Sequence, residues 1–420
     1  MREGDRRVVV TGLGLVTPVG LDVEQTWSAL LEGRSGAGPI THFDASDHDV
    51  RFACEVTDFD PGEYLDRKEV KRTDRFVQFA LATADQAVAQ AGVEDAMARL
   101  PEERTGVIVG SGIGGLETME EQHRRLLERG PGRVSPFFIP MFIADMASGQ
   151  ISMRYDARGP NYATVSACAS SGHALGLAFR SIRTGEADVM ITGGAEATIT
   201  PLCVAGFSSM KALSTRNDEP ARASRPFDAN RDGFVLGEGA GMMVLESLEH
   251  ARERGATVLA EFLGFGQSAD AHHMTAPAPE GEGAQAAMRL ALEDAEVEPE
   301  EVAYVNAHGT STPANDATET TAIRAVFGDH ADELLVGSTK SMTGHTLGAA
   351  GALEGAVTAL ACHRGEVPPT INLEERDPDC DLDYVAGGPV ERPVRIGVTN
   401  SFGFGGHNVC LAFGRWEDGS

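Results

Sequence analysis

The chain has 420 residues, 42% of them apolar, and a formal net charge of −28. That length allows two or three core-sized units, and the acidic balance would repel nucleic-acid phosphates, which argues against such a partner. No run reaches the roughly 20 uninterrupted apolar residues of a membrane span. The opening MREGDRRVVVTGLG moves from charge into a strand pattern without a signal-peptide core, so the expected location is the cytoplasm. The six cysteines are scattered with no CxxC pair, as expected for reduced thiols and no zinc site.

In chain order, RRVVVTGLG (6–14) predicts a strand, and a polar, Asp-rich loop runs from about residue 40 to 66. Arg67-Lys68-Glu69-Val70-Lys71-Arg72 holds two of the four lysines. The patch reads equally as a dock for an acidic partner or as a charge-paired helix face. RFVQFALATADQAVAQAG (75–92) has helical periodicity, and TGVIVGSG (105–112) reads as a buried strand. Then come a Phe- and Pro-rich arm (135–146) and the buried strand ADVMITGGAEA (187–197). A strand and a helix lead from residue 237 into what looks like a second start. AYVNAHGTST (303–312) repeats the strand and Gly-rich turn of GVIVGSGIGG (106–115), and IGVTNSFGFGGHNVCLAF (396–413) closes the chain as a hairpin. Apolar runs alternating with amphipathic helices indicate α/β units.

The chain also repeats itself. TVSACASSGHALG (164–176) and VGSTKSMTGHTLG (336–348) both end in Gly-His-x-Leu-Gly before an Ala/Gly-rich helical stretch. Aligned there, Cys168 falls opposite Lys340 and His173 opposite His345. A duplicated fold is expected, with halves 1–255 and 256–420 meeting at one active site.

Gly110-Ser-Gly-Ile-Gly-Gly115 fits G-x-G-x-x-G after a strand, but no second strand follows in place, so dinucleotide binding is rejected. Cys168 leaves a strand-like run and opens a helix, whose dipole is expected to lower the thiol pKa toward neutrality. His308 leaves a buried strand at a Gly turn, and Lys340 and His345 lie five residues apart on a turn entering a helix. The set supplies a nucleophile, two neutral imidazoles and a cation, which thioester and carbanion chemistry require. His173 is expected to be structural.

VSACASSG, NAHGTSTPAND, STKSMTGHTLGAAGALEG and NSFGFGG, in this order and spacing, resemble the β-ketoacyl-acyl-carrier-protein synthases, most closely the elongating type of bacterial type II fatty acid synthesis. The resemblance implies an α/β, thiolase-like duplicated fold in five αβαβα layers, a homodimer, and no cofactor or metal. It also implies an acylated Cys168 with His308 and His345, supported by Lys340 paired with Glu354. The N–H groups of Cys168 and Phe404 would form an oxyanion hole, with Phe404 as gate. Thr310 and Thr312 would hold the pantetheine arm of acyl carrier protein, and Ile113 and Phe207 would line the acyl pocket. Lys68, Lys71, Arg72, Arg133 and Arg216 would dock the carrier, although one Arg133 stands where the family commonly has a basic pair. His407 stands where the family more often has Thr.

The implied reaction is condensation of malonyl-carrier with an acyl group on Cys168, in fatty acid elongation or, alternatively, in a polyketide pathway. A degradative thiolase would carry a second cysteine where Phe404 stands. A non-catalytic chain-length partner would lack Cys168.

Overall fold

A computed structural model describes residues 5–417, so residues 1–4 and 418–420, at the outer ends of the two expected halves, lie outside the described residues. Ten strands form one mixed sheet: β1 (Val8–Val16), β2 (Thr105–Gly110), β3 (Asn161–Thr164), β4 (Val189–Glu196), β5 (Gly239–Ser247), β6 (Ala260–Ala269), β7 (Tyr304–Asn306), β8 (Leu335–Gly337), β9 (Ile396–Gly403) and β10 (His407–Arg415). Their order is β8-β7-β9-β10-β6-β1-β5-β4-β2-β3. Outward from the centre, β1-β5-β4-β2-β3 is matched by β6-β10-β9-β7-β8. Each half runs antiparallel, antiparallel, parallel, parallel. The halves join where Val8, Val9 and Val10 pair with Phe262, Glu261 and Ala260.

Strands such as VVVTGLGLV and VMITGGAE are buried throughout because helices cover both faces. On one outer face lie α1 (Arg67–Val70), α2 (Arg75–Ala91) and α3 (Met146–Tyr155); α2 is capped by Asp74 and stopped by left-handed Gly92. The central layer holds α4 (Ser170–Arg183), and the opposite face holds α5 (Glu282–Ala295) and α6 (Pro313–Phe327). After the short α7 (Lys340–Thr343), α8 (Ala350–Arg364) returns to the central layer beside α4. The two central helices pack against both five-stranded halves of the sheet, which makes the five layers of a thiolase-like fold. The central helices meet at two glycines: a Cβ on Gly351 would lie 2.8 Å from Gly172 N, so no larger residue fits this crossing.

The topology repeats, but the Gly-His-x-Leu-Gly alignment does not mark equivalent positions. Gly172 and His173 lie inside α4, whereas Gly344 (φ +66°) ends α7 and His345 precedes α8. The longer entry to α8 puts His345 in an irregular loop, where its ring can turn toward the other half.

Candidate active site

Cys168 sits in the tight turn between β3 and α4. Ala167 before it has φ +51°, a left-handed conformation that costs a non-glycine residue energy and is retained only under restraint. Ser170 supplies that restraint: its Oγ accepts from Ser166 N (2.9 Å) and donates to the Ala167 carbonyl (2.7 Å). The turn aims Sγ into a cavity of about 610 Å³.

The other half brings the histidines. His308 follows β7, and its N–H, with that of Gly309, donates to buried Glu319 (both 2.8 Å). His345 is gripped by its backbone: its N–H donates to Val235 O (2.7 Å), and its carbonyl accepts from Gly237 N (2.9 Å). His345 Nε2 lies 3.0 Å from Cys168 Sγ, and the imidazole centroids are 5.3 Å apart at 84°. Lys340 Nζ donates to Glu354 Oε1 in a buried ion pair.

Burial, and then the nearby Lys340 charge, hold both imidazoles well below the usual histidine range, so they are neutral at physiological pH. The thiol departs from expectation. Burial pushes Cys168 up to about 12, outweighing the pull of Lys340 and of the N–H groups of Phe404 and Cys168 itself. Burial therefore favours the protonated thiol, and His345 Nε2 at 3.0 Å is the nearest group with which it can exchange a proton. The two N–H groups beside the sulfur are the donors an oxyanion needs. Cys168, His308 and His345 place ligand atoms within 4.8 Å of one another, the spacing of a metal site. The Lys340 charge beside them opposes a second cation there.

Residues 5–251 match the family model described as beta-ketoacyl synthase, N-terminal domain, and residues 259–374 match its C-terminal domain. The chain belongs to the β-ketoacyl synthase family. This synthase is 54% identical over 412 residues to the 3-oxoacyl-[acyl-carrier-protein] synthase 2 of Synechocystis sp., covering 98% of this chain and 99% of the relative. Against the protein of the same name from Coxiella burnetii, identity is 53% over 413 residues, with the same coverage. Among solved structures, the ishigamide ketosynthase/chain length factor superposes with a TM-score of 0.92 at 40% identity, covering 98% of this chain and 100% of the other. A type II PKS ketosynthase in complex with its acyl-carrier protein gives 0.91 at 33%, with the same coverage.

In the synthase, Ile113, Phe207, Thr310, Thr312 and Phe404 all border the cavity that reaches Cys168, and the Thr310 and Thr312 hydroxyls are 2.9 Å apart. Lys68, Lys71 and Arg72 are exposed on and just after α1, and Arg72 lies 4.5 Å over the Phe137 ring. Arg133 is exposed. Arg216 is half-buried and donates to Asn230 O (3.0 Å), which leaves it less free than the others. His173, at 2.7 Å from Ser166 Oγ, stays outside the triad, and His407 is exposed at the start of β10.

Among the buried acids that escaped the sequence reading, three bear on the site. Glu319 holds the His308 turn, Asp316 accepts from Phe227 N (2.8 Å), and Glu196 ends β4. The first two sit on a polar helix that reads as a solvated face. Glu196 had a readable signal, since a carboxylate closing the otherwise uncharged strand VMITGGAE demands buried donors.

Proposed function

We propose that the synthase condenses malonyl-acyl-carrier protein with an acyl group held on Cys168, releasing carbon dioxide and 3-oxoacyl-acyl-carrier protein in fatty acid chain elongation. The carrying observation is the 3.0 Å contact between Cys168 Sγ and His345 Nε2, with His308 alongside, at the base of a cavity shared by both halves. Sulfur attacks the acyl thioester as His345 takes its proton, while the N–H groups of Cys168 and Phe404 receive the oxyanion. His345 passes that proton to the carrier sulfur, which leaves as a thiol. Malonyl thioester enters past Phe404, its pantetheine arm held by Thr310 and Thr312, and the acyl chain lies along Ile113 and Phe207. Neutral His308, and His345 once its single ring proton sits on Nε2, donate to the thioester oxygen as carbon dioxide departs. The resulting enolate carbon attacks the acyl-Cys168 carbonyl, and the Cys168 thiolate leaves and takes a proton from solvent, restoring the thiol. Burial, helped by Lys340 paired with Glu354, keeps the imidazoles neutral. Losing one oxyanion donor at such a site typically costs about 10²–10³ in rate.

Lys68, Lys71 and Arg72, with Arg133 and Arg216, dock the acidic carrier protein. The units are 1–255 and 256–420, and the working form is a cytoplasmic homodimer. Edge strand β3, with Tyr162 41% exposed and neighbouring Val165 62% exposed, offers a face for a second copy.

Mass spectrometry after mixing with acyl-carrier protein tests the enzymatic reading. An acyl adduct on Cys168, discharged by malonyl-carrier, is expected; no adduct would refute it. The polyketide alternative draws on the ishigamide ketosynthase likeness, at lower identity than the fatty acid relatives. Repeated condensation without reduction of the 3-oxo group would favour it.

A further inference from the structure

Glu196 is fully buried and receives donors from both halves. Its Oε2 accepts from Gly112 N (2.7 Å) and Gly348 N (3.0 Å), and its Oε1 accepts from Ser111 Oγ (3.1 Å) and Ile113 N (3.2 Å). The turn that superficially fits a phosphate-binding pattern thus spends its N–H groups on a carboxylate of its own chain. Ile113 on that turn and Leu347, beside Gly348, both border the cavity. The joint has no slack: a Cβ on Gly348 would lie 2.1 Å from Gly112 N.

We propose that Glu196 is a positioning residue that locks the Ile113 wall of the acyl pocket against the His345–Leu347 turn, and so sets how long an acyl chain Cys168 accepts. This rests on the ketosynthase reading above. The charge of Glu196 pushes the Cys168 thiol up, so it opposes activation of the nucleophile and its value lies in geometry. A glutamine could satisfy the paired N–H groups at one oxygen only. Its amide NH₂ would then face the Ile113 N–H, donor against donor, and the wall would move.

The test is Glu196→Gln, assayed for Cys168 acylation across carrier-bound primers from butyryl to dodecanoyl and longer. A lost hydrogen bond to a charged group is worth roughly tenfold or more, so kcat/KM for the long primers is expected to fall by about that factor, through KM. Butyryl transfer is expected to stay within about threefold, since a short chain does not reach the displaced wall. Iodoacetamide should react with Cys168 at least as fast as in the wild type, because an opposing charge is gone. An unchanged length profile, or an equal loss at every length, overturns the proposal. Ser111→Ala, which removes one donor and leaves the carboxylate, covers failure of the first variant to fold. By the same rule it should give a loss of about tenfold confined to long primers, and a length-independent result again overturns the proposal. Wild-type protein that forms no adduct would refute the ketosynthase reading instead.

Discussion

Replacing Lys340 with Met removes a charge while nearly preserving volume, and the outcome should depend on pH. Lys340 and Glu354 are 1% and 3% exposed, and Glu354 Oε2 has no partner among the described residues. Burial raises the Glu354 carboxyl above its ordinary value of 4.5, and Lys340 pulls it back down. Without the ammonium the folded carboxyl rises further, so the folded state binds the proton more tightly than the unfolded chain does. The fold is then least penalised below the unfolded value. It loses stability, at about 1.4 kcal/mol per pH unit, as pH climbs toward the raised folded value. Breaking a buried pair from one side costs about 3–5 kcal/mol when the remaining charge stays ionised. Urea unfolding of Lys340→Met and wild type at pH values from about 6 to 8.5 should show a deficit that widens toward the alkaline end. Lys340→Met/Glu354→Gln, with no stranded charge, should regain most of the loss. It should condense more slowly than wild type, because the Lys340 charge that adds to burial in holding His308 and His345 below the usual histidine range is still missing. A deficit independent of pH, or no recovery in the double variant, would refute this account.

His308→Ala should abolish malonyl decarboxylation while leaving measurable acylation of Cys168, since His345 and the two N–H donors remain; equal loss of both would reject that division of labour. With the thiol near 12, alkylation of Cys168 by iodoacetamide should rise about tenfold per pH unit from near pH 6 to 9. A plateau near neutrality would show a resting thiolate. Charge reversal at Lys68 and Lys71 should raise KM for carrier-bound substrates and spare kcat. An unchanged KM would remove the docking assignment.

The sequence carried most of the fold, because buried strands and their covering helices leave period and composition signals that local reading detects. The 75–92 helix and the closing hairpin emerged nearly at their predicted bounds. Cys168, His308, Lys340 and His345 were legible because each leaves a strand or enters a helix within a distinctive short motif. The buried acids were harder, since Glu319 looks like any helix-face carboxylate until its donors, eleven and ten residues back, are seen.

What the sequence determined by itself was the alternating α/β pattern, the candidate side chains and their order, all written in contiguous stretches of chain. Tertiary structure decided the direction of the thiol shift, since burial at Cys168 outweighs the pull of Lys340 and of the Phe404 and Cys168 N–H groups. It also decided that the two Gly-His motifs are unlike, one inside a helix and one in a loop. Only the folded chain reveals that Glu196 ties the halves together, because its donors lie 83 to 152 residues away along the chain.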